Sequence, residues 1–229
     1  MPTYNEAENL PKMVETLLSL GVDNLDVLVV DDNSPDGTGD IAEELARKYP
    51  KRVDVVHRQG KMGLGTAYIT GFRHALKNGA SFIFEMDADF SHPPEIIPTI
   101  LGKMVNYDVV VGSRYVAGGR VDSRWSLFRK FLSWGGNVYS RMVTGLRVQD
   151  TTAGFKCFRR SALEGLDLGK VRSDGYAFQV EMAYACQKKG YRVAEVPISF
   201  NDRTLGRSKM SLHIILEAMW RVWQIKWRY

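Results

Sequence analysis

The 229 residues are 45% apolar and 25% charged, with 21 glycines and 8 prolines, which excludes wholesale disorder, collagen-like repeats and low complexity. Thirty-one basic against 26 acidic side chains give a net charge of +5, a tilt towards an anionic partner without the basic excess of a nucleic-acid binder. Two cysteines, Cys157 and Cys186, are too few for a disulfide framework or a structural zinc site and suit a reducing compartment.

The chain opens on a polar turn, Met1-Pro2-Thr3-Tyr4, that reads as the loop following a strand, with the strand itself missing. Behind Asn5 and Glu6, Leu10, Met13, Val14, Leu17 and Leu18 recur at helical spacing. Leu25 to Val30 is a short apolar strand ending on Asp31-Asp32. A helix is expected over Thr38 to Tyr49, a strand over Val53 to Val56 and a helix over Leu64 to Lys77. Ser81 to Met86 is the next strand and runs into Asp87; after Pro93-Pro94 come a helix from Glu95 to Val105 and a strand from Asp108 to Gly112. Strand, crossover and strand at this rhythm predict an α/β fold with a mostly parallel sheet flanked by helices. With no internal repeat and no linker, residues 1–208 form one domain and residues 209–229 a C-terminal extension.

That extension is predicted helical from Ser211 to Tyr229. His213, Glu217, Arg221, Gln224 and Arg228 draw a narrow polar stripe, while Leu212, Ile215, Leu216, Met219, Trp220, Val222, Trp223 and Trp227 fill a wide apolar face. Tryptophans among basic residues fit a helix lying in a membrane interface; packing on the domain or on a second subunit is the alternative. Neither a signal-peptide pattern nor a run of about 18 apolar residues is present, so the expectation is a soluble or peripheral chain, not an integral one.

Ligands of parallel sheets gather at the carboxyl ends of the strands, and here those ends carry acids: Asp31-Asp32 and Asp87-Ala88-Asp89. Two aspartates at i and i+2 can face one hard divalent ion such as Mg²⁺ or Mn²⁺, although Asp89 to Pro94 is also good turn chemistry. Arg114 closes the next strand, Arg124, Arg129 and Lys130 follow, and Arg203, Arg207 and Lys209 surround Gly206 and Ser208. Arginine forks and a lysine near a metal are what a diphosphate needs as charge develops on it; each alone reads as a solvated surface charge. Gly63-Leu64-Gly65 starts like a dinucleotide fingerprint but has Tyr68 at the third glycine position, and there is no P-loop, no HExxH and no Gly-x-Ser-x-Gly elbow.

Taken together, Pro2-Thr3-Tyr4-Asn5-Glu6, Val29 to Thr38, Lys61 to Ala67, Met86 to Asp89 with His92 to Glu95, Gly112 to Tyr115, Asp150 to Phe155 and Gly206 to Lys209 resemble the family 2 glycosyltransferases of GT-A (Rossmann-like) fold. Within them the similarity is to the polyprenol (dolichyl) phosphate mannosyltransferases. The resemblance implies inverting transfer of mannose from GDP-mannose to polyprenyl (dolichyl) phosphate. It implies that Pro2, Tyr4, Glu6, Val30 and Asp32 meet the base and ribose, and that Asp87 and Asp89 hold Mg²⁺ or Mn²⁺ with Ala88 beside the nucleotide. Ser91 stands where some members carry a glutamine ligand, so the third ligand is its hydroxyl or a water. Arg114, Arg129 and Lys209 match positions that bind donor or acceptor phosphates and, with Asp89, make up the implied catalytic set. The family often adds C-terminal membrane helices or a membrane partner; here the implied arrangement is a peripheral protein on the cytoplasmic side of a membrane, whose amphipathic end anchors it alone or helps dock a membrane-anchoring partner, with a homo-oligomer as the other partner expected. UDP-glucose or another donor, and a non-catalytic nucleotide-sugar-binding subunit, stay open as alternatives.

Overall fold

The computed structural model describes residues 1–202 and 212–229, with the side chains of 212–218 outside that description. Valine-rich runs, stiff at χ1 and suited to a pleated buried surface, build the sheets. β1 (Pro2–Thr3), β2 (Val27–Asp31) and β3 (Val53–His57) pair in parallel, in that order. β4 (Phe82–Glu85), β5 (Val109–Ser113), β7 (Lys156–Arg159) and β8 (Val193–Pro197) form a second sheet in the order β4-β7-β5-β8, and the short β6 (Arg120–Val121) pairs with β9 (Ser199–Phe200). The helices are α1 (Leu10–Leu18), α2 (Thr38–Lys48), α3 (Leu64–Lys77), α4 (Ile97–Lys103), α5 (Leu127–Thr144), α6 (Arg160–Glu164), α7 (Gly175–Lys188) and α8 (Leu212–Arg228).

This is the expected α/β architecture, with three differences. The opening segment is itself a strand: Pro2 lies opposite Val30 and Thr3 opposite Asp31. Two residues carry no periodicity to read, and a proline is tolerated at a strand's first position. Second, β7 runs antiparallel between β4 and β5, so the second sheet is mixed. Third, the helix expected from Glu95 to Val105 is a 3₁₀ turn, Pro94–Ile96, followed by the shorter α4, with a proline in its first turn.

β7 divides the core. Phe155 and Cys157 face a cluster with Leu10, Met13, Val29 and Ile100, while Phe158 faces one with Phe72, Leu163, Phe178 and Met182, the alternation that a period of two dictates. α8 sends Val222 and Ile225 into the second cluster, and its Arg228 pairs with the buried Glu181 of α7. The apolar face predicted for this helix is therefore split. Val222 packs inward, whereas Trp220 and Trp227 stay 54% and 67% exposed. α5 lies beside α8, with the Tyr139 hydroxyl donating to the Met219 carbonyl, and leaves Leu127, Phe128, Phe131 and Trp134 exposed. Among the described residues no helix is long and apolar enough to cross a membrane.

Candidate active site

The carboxyl end of β2 supplies two aspartates with different work. Asp31 is consumed by its own turn, accepting from the Thr3 hydroxyl at 2.9 Å, the Ser34 hydroxyl at 2.6 Å and the Ser34 amide at 3.0 Å. Asp32 forms an ion pair with Arg58 at 2.8 Å, both side chains being more than nine-tenths buried. Burial pushes the Asp32 carboxyl up from its ordinary value, and the Arg58 charge opposes that rise. Arg58 was not legible as a site residue. It follows β3 directly and ties three segments together, its guanidinium also donating to the Thr66 hydroxyl at 2.6 Å and its amide to the Asp31 carbonyl.

Around this pair, the Lys61 ammonium sits 4.3 Å from the centre of the half-open Tyr4 ring, a cation–π contact at the mouth of the site. The Glu6 amide donates to the Thr38 hydroxyl at 2.9 Å, and the Glu6 carboxylate accepts from Asn9. Val30 is buried, its side chain aimed at Gly71 of α3. The Lys61–Gly65 loop begins α3 with Gly63 at φ +100°, where a β-carbon would lie 2.5 Å from the Asp174 carboxylate that accepts from the Gly65 amide. Only glycine satisfies both demands.

β4 leads into the acidic turn. Asp87 accepts from the Tyr68 hydroxyl at 3.0 Å, and its amide donates to Nδ1 of His92 at 3.2 Å. Asp87 is half-buried, whereas Asp89 is buried and accepts from the Ser91 amide at 3.0 Å, and Phe90 between Asp89 and Ser91 takes φ +60°, a tight left-handed turn for a bulky residue. Ala88 is buried beside them. His92 lies flat on Phe155, ring centres 5.3 Å apart, and burial lowers its pKa. An Nδ1 that accepts places the proton of the neutral ring on Nε2.

The donor set suits a hard divalent cation. Two carboxylates sit two residues apart on one turn, and beside them the buried Ser91 hydroxyl finds no hydrogen-bond partner among the described residues. Among the described residues no third acid, cysteine or histidine completes a protein cage. That matches Mg²⁺ or Mn²⁺, which keep waters and share substrate phosphate oxygens.

Beyond β5, Arg114 is gripped by Asp150. Nε and Nη2 donate to its two oxygens at 2.8 and 2.7 Å, and Nη2 also reaches the Thr152 hydroxyl at 2.8 Å. Burial works against the guanidinium charge, but the Asp150 carboxylate outweighs it and raises the pKa further. Asp150 belongs to a loop fixed by Asn137, whose side-chain carbonyl accepts from both the amide and hydroxyl of Thr151. Arg129, at the start of α5, forks onto Asp202 at 2.9 and 3.2 Å and stacks 3.9 Å from the Trp125 ring. Phe200 joins these parts: the Arg114 guanidinium lies 5.3 Å from its centre, and His92 and Trp125 meet it edge-on. The structure thus gathers the acidic turn, Arg114 and the Arg129 segment around one ring. Lys209, Arg203 and Arg207 lie outside the described residues.

Comparison with known proteins gives this arrangement a context. Residues 1–167 match the family described as glycosyl transferase family 2. The chain is 48% identical over 219 residues to an undecaprenyl-phosphate mannosyltransferase of Micrococcus luteus, covering 96% of this chain and 89% of that one. It is 47% identical over 231 residues to a polyprenol monophosphomannose synthase of Mycolicibacterium smegmatis, covering 100% of this chain and 86% of the other. Among solved structures, a glucosyl-3-phosphoglycerate synthase of Mycobacterium tuberculosis with Mn²⁺, UDP and glucosyl-3-phosphoglycerate shares the fold at TM-score 0.62 and 16% identity, covering 98% of this chain and 76% of that one. A mannosyltransferase of Pyrobaculum calidifontis with GDP-mannose and Mn²⁺ shares it at TM-score 0.58 and 21% identity, over 90% of this chain and 56% of the other.

Proposed function

This chain belongs to glycosyl transferase family 2, and from that premise we propose that it transfers mannose from GDP-mannose to the phosphate of a polyprenol, with inversion, giving polyprenyl β-mannosyl phosphate. The observation that carries the reading is the near-full-length identity to two relatives whose names specify mannosyl transfer to polyprenyl carriers, in a chain whose acidic turn suits a metal-bridged diphosphate. Asp87 and Asp89, with the Ser91 hydroxyl or a water, would hold Mg²⁺ or Mn²⁺, whose charge would neutralise the diphosphate. Pro2, Tyr4, Glu6, Val30 and Asp32 are assigned to the nucleoside end, with Ala88 beside it; the Val30 side chain is turned to Gly71, so its assigned contact is through the backbone. Arg58 opposes the effect of burial on the Asp32 carboxyl and orients it there.

Arg114, Arg129 and Lys209 are assigned to the donor and acceptor phosphates. A phosphate monoester with a second pKa near 6 is already largely dianionic at neutral pH, so this nucleophile needs no general base. His92, with Nδ1 committed to the Asp87 amide, is a structural part of the turn rather than a base. The work left to the protein is to hold two anions in line and to stabilise the leaving GDP.

A lipid acceptor keeps its tail in the bilayer, and the proposed division of labour is catalysis by residues 1–208 with seating by residues 209–229. The exposed Trp220, Trp223 and Trp227 of α8 and Phe128, Phe131 and Trp134 of α5 are suited to lie at the headgroup level. The free, buried cysteines accord with the cytoplasmic side of that membrane. The deciding experiment follows radiolabelled mannose from GDP-mannose into organic-extractable lipid, with polyprenyl phosphate added and Mg²⁺ or Mn²⁺ varied. Metal-dependent label in the lipid phase is expected; label from UDP-glucose but not from GDP-mannose would overturn the donor assignment.

A further inference from the structure

A lysine in the middle of a mixed sheet is an expensive residue to bury, and Lys156 is 1% exposed. It lies on central strand β7, directly opposite Glu85 of β4 on one side and Val111 of β5 on the other. Directly opposed residues share a sheet face, so the two charged side chains meet beneath the site. The ammonium donates to Glu85 Oε1 at 2.7 Å, to the Ala153 carbonyl and to Gln179 Oε1 of α7, which uses all three of its N–H groups.

Those three acceptors come from three different segments. Glu85 ends the strand that runs into Asp87 and Asp89. Ala153 lies in the same loop as Asp150, the carboxylate that grips Arg114. Gln179 belongs to α7, and Gly154 is wedged between its amide and the His92 ring, where a β-carbon would come within 3.5 Å of both. A buried ion pair adds little net stability compared with an apolar pair of the same volume, so stability alone does not account for this one. What it does supply is a fixed separation between the acidic turn and the loop that orients Arg114.

We propose that Lys156 is a positioning residue for the transfer reaction: its buried ammonium, held by Glu85, Ala153 and Gln179, sets the spacing between the Asp87–Asp89 turn and the Asp150–Phe155 loop. The inference rests on the mannosyl-transfer reading above. Its variants are Lys156→Met paired with Glu85→Met, which removes both charges, and Gln179→Met, which leaves the ion pair and withdraws one anchor. Both are compared with the wild type for melting temperature, kcat and KM for GDP-mannose, and GDP affinity with and without Mn²⁺.

The expected result is a kcat lowered about 10- to 100-fold, because small misplacements of reacting groups are costly. GDP affinity without metal stays at the wild-type value, and the tightening that Mn²⁺ brings is reduced. A merely structural role would lower the melting temperature and leave kcat, measured well below it, at the wild-type value; that outcome overturns the proposal. If the double variant does not fold, Gln179→Met decides: wild-type kcat and Mn²⁺ response in that variant also overturn it. Should the wild type transfer no mannose, the functional reading fails, yet the Mn²⁺-dependent GDP titration still tests the positioning role.

Discussion

Replacing Arg58 by methionine isolates the ion pair at the nucleoside end of the site. Arg58 and Asp32 are 5% and 8% exposed at the side chain and 2.8 Å apart, so solvent screening is slight. Removing Arg58 leaves the buried carboxylate without its ion-pair partner, holding only the Met62 backbone hydrogen bond and the weaker Lys61 charge, at a cost of about 3–5 kcal/mol. For a chain of this size that corresponds to a melting temperature lower by about 6–20 °C. The sign of the pH dependence follows from Asp32. Burial already raises its pKa, and loss of the Arg58 charge raises it further.

An acid whose folded pKa is raised contributes its stability in full below the unfolded value, near 3.8, and loses it as pH rises through the folded value. Arg58→Met is therefore expected to be more destabilised at pH 8 than at pH 5. Adding Asp32→Asn removes the unpaired charge, so the double variant recovers much of the loss and its deficit no longer grows with pH. Thermal unfolding of the wild type, both single variants and the double variant across that range checks this. Equal melting temperatures for Arg58→Met and the double variant at every pH would refute the electrostatic account.

Asp89→Ala is expected to lower mannosyl transfer by about 10²-fold or more and to weaken Mn²⁺ binding measured by electron paramagnetic resonance, since an oriented charge at the diphosphate is lost. Asp202→Asn releases Arg129 from a half-exposed ion pair worth about 0.2–1 kcal/mol, so the KM for polyprenyl phosphate should fall by up to about fivefold. A KM that rises instead would show that Asp202 orients Arg129 rather than competing for it. Alanine at Trp220, Trp227 and Phe128, which are 54%, 67% and 70% exposed, should leave the melting temperature unchanged and reduce flotation with anionic liposomes by about tenfold or more.

What was legible in the sequence is what local pattern encodes. β2 and β4 announce themselves because short apolar runs stop abruptly on acids, and the same punctuation marks Asp32, Asp87 and Asp89. The family motifs carry their own loops, which is why Asp150 to Phe155 stood out before any partner was visible. β1 escaped because two residues hold no period, and β7 because its run, Lys156 to Arg159, begins and ends on a charge. A buried cation leaves no periodic trace at all. The acceptors of Lys156 lie 71, 3 and 23 residues away along the chain, and the carboxylate that grips Arg114 lies 36 away, so their roles exist only once the sheet is assembled. The split face of α8 is similar: the helical period shows an apolar surface but not that Val222 and Ile225 are claimed by the core while the tryptophans are left outside.

The net charge of +5 points to an anionic partner, and among the described residues the structure shows four of the cations already paired. Arg58 is matched by Asp32, Arg114 by Asp150, Arg129 by Asp202 and Lys156 by Glu85. Paired cations attract a distant anion weakly, but their geometry is fixed before the ligand arrives, and a fixed dipole costs no reorganisation when charge develops. The Arg114 fork uses Nε and Nη2, so among the described residues Nη1 makes no hydrogen bond and remains able to meet a phosphate oxygen. Among the described residues these four paired cations contribute orientation rather than long-range steering. In the proposed transfer that balance suits two anionic partners, one of them confined to a surface: a field strong enough to draw both in would also hold the leaving diphosphate, whereas charge-matched arginines in the assigned roles would stabilise the departing charge and then let it go.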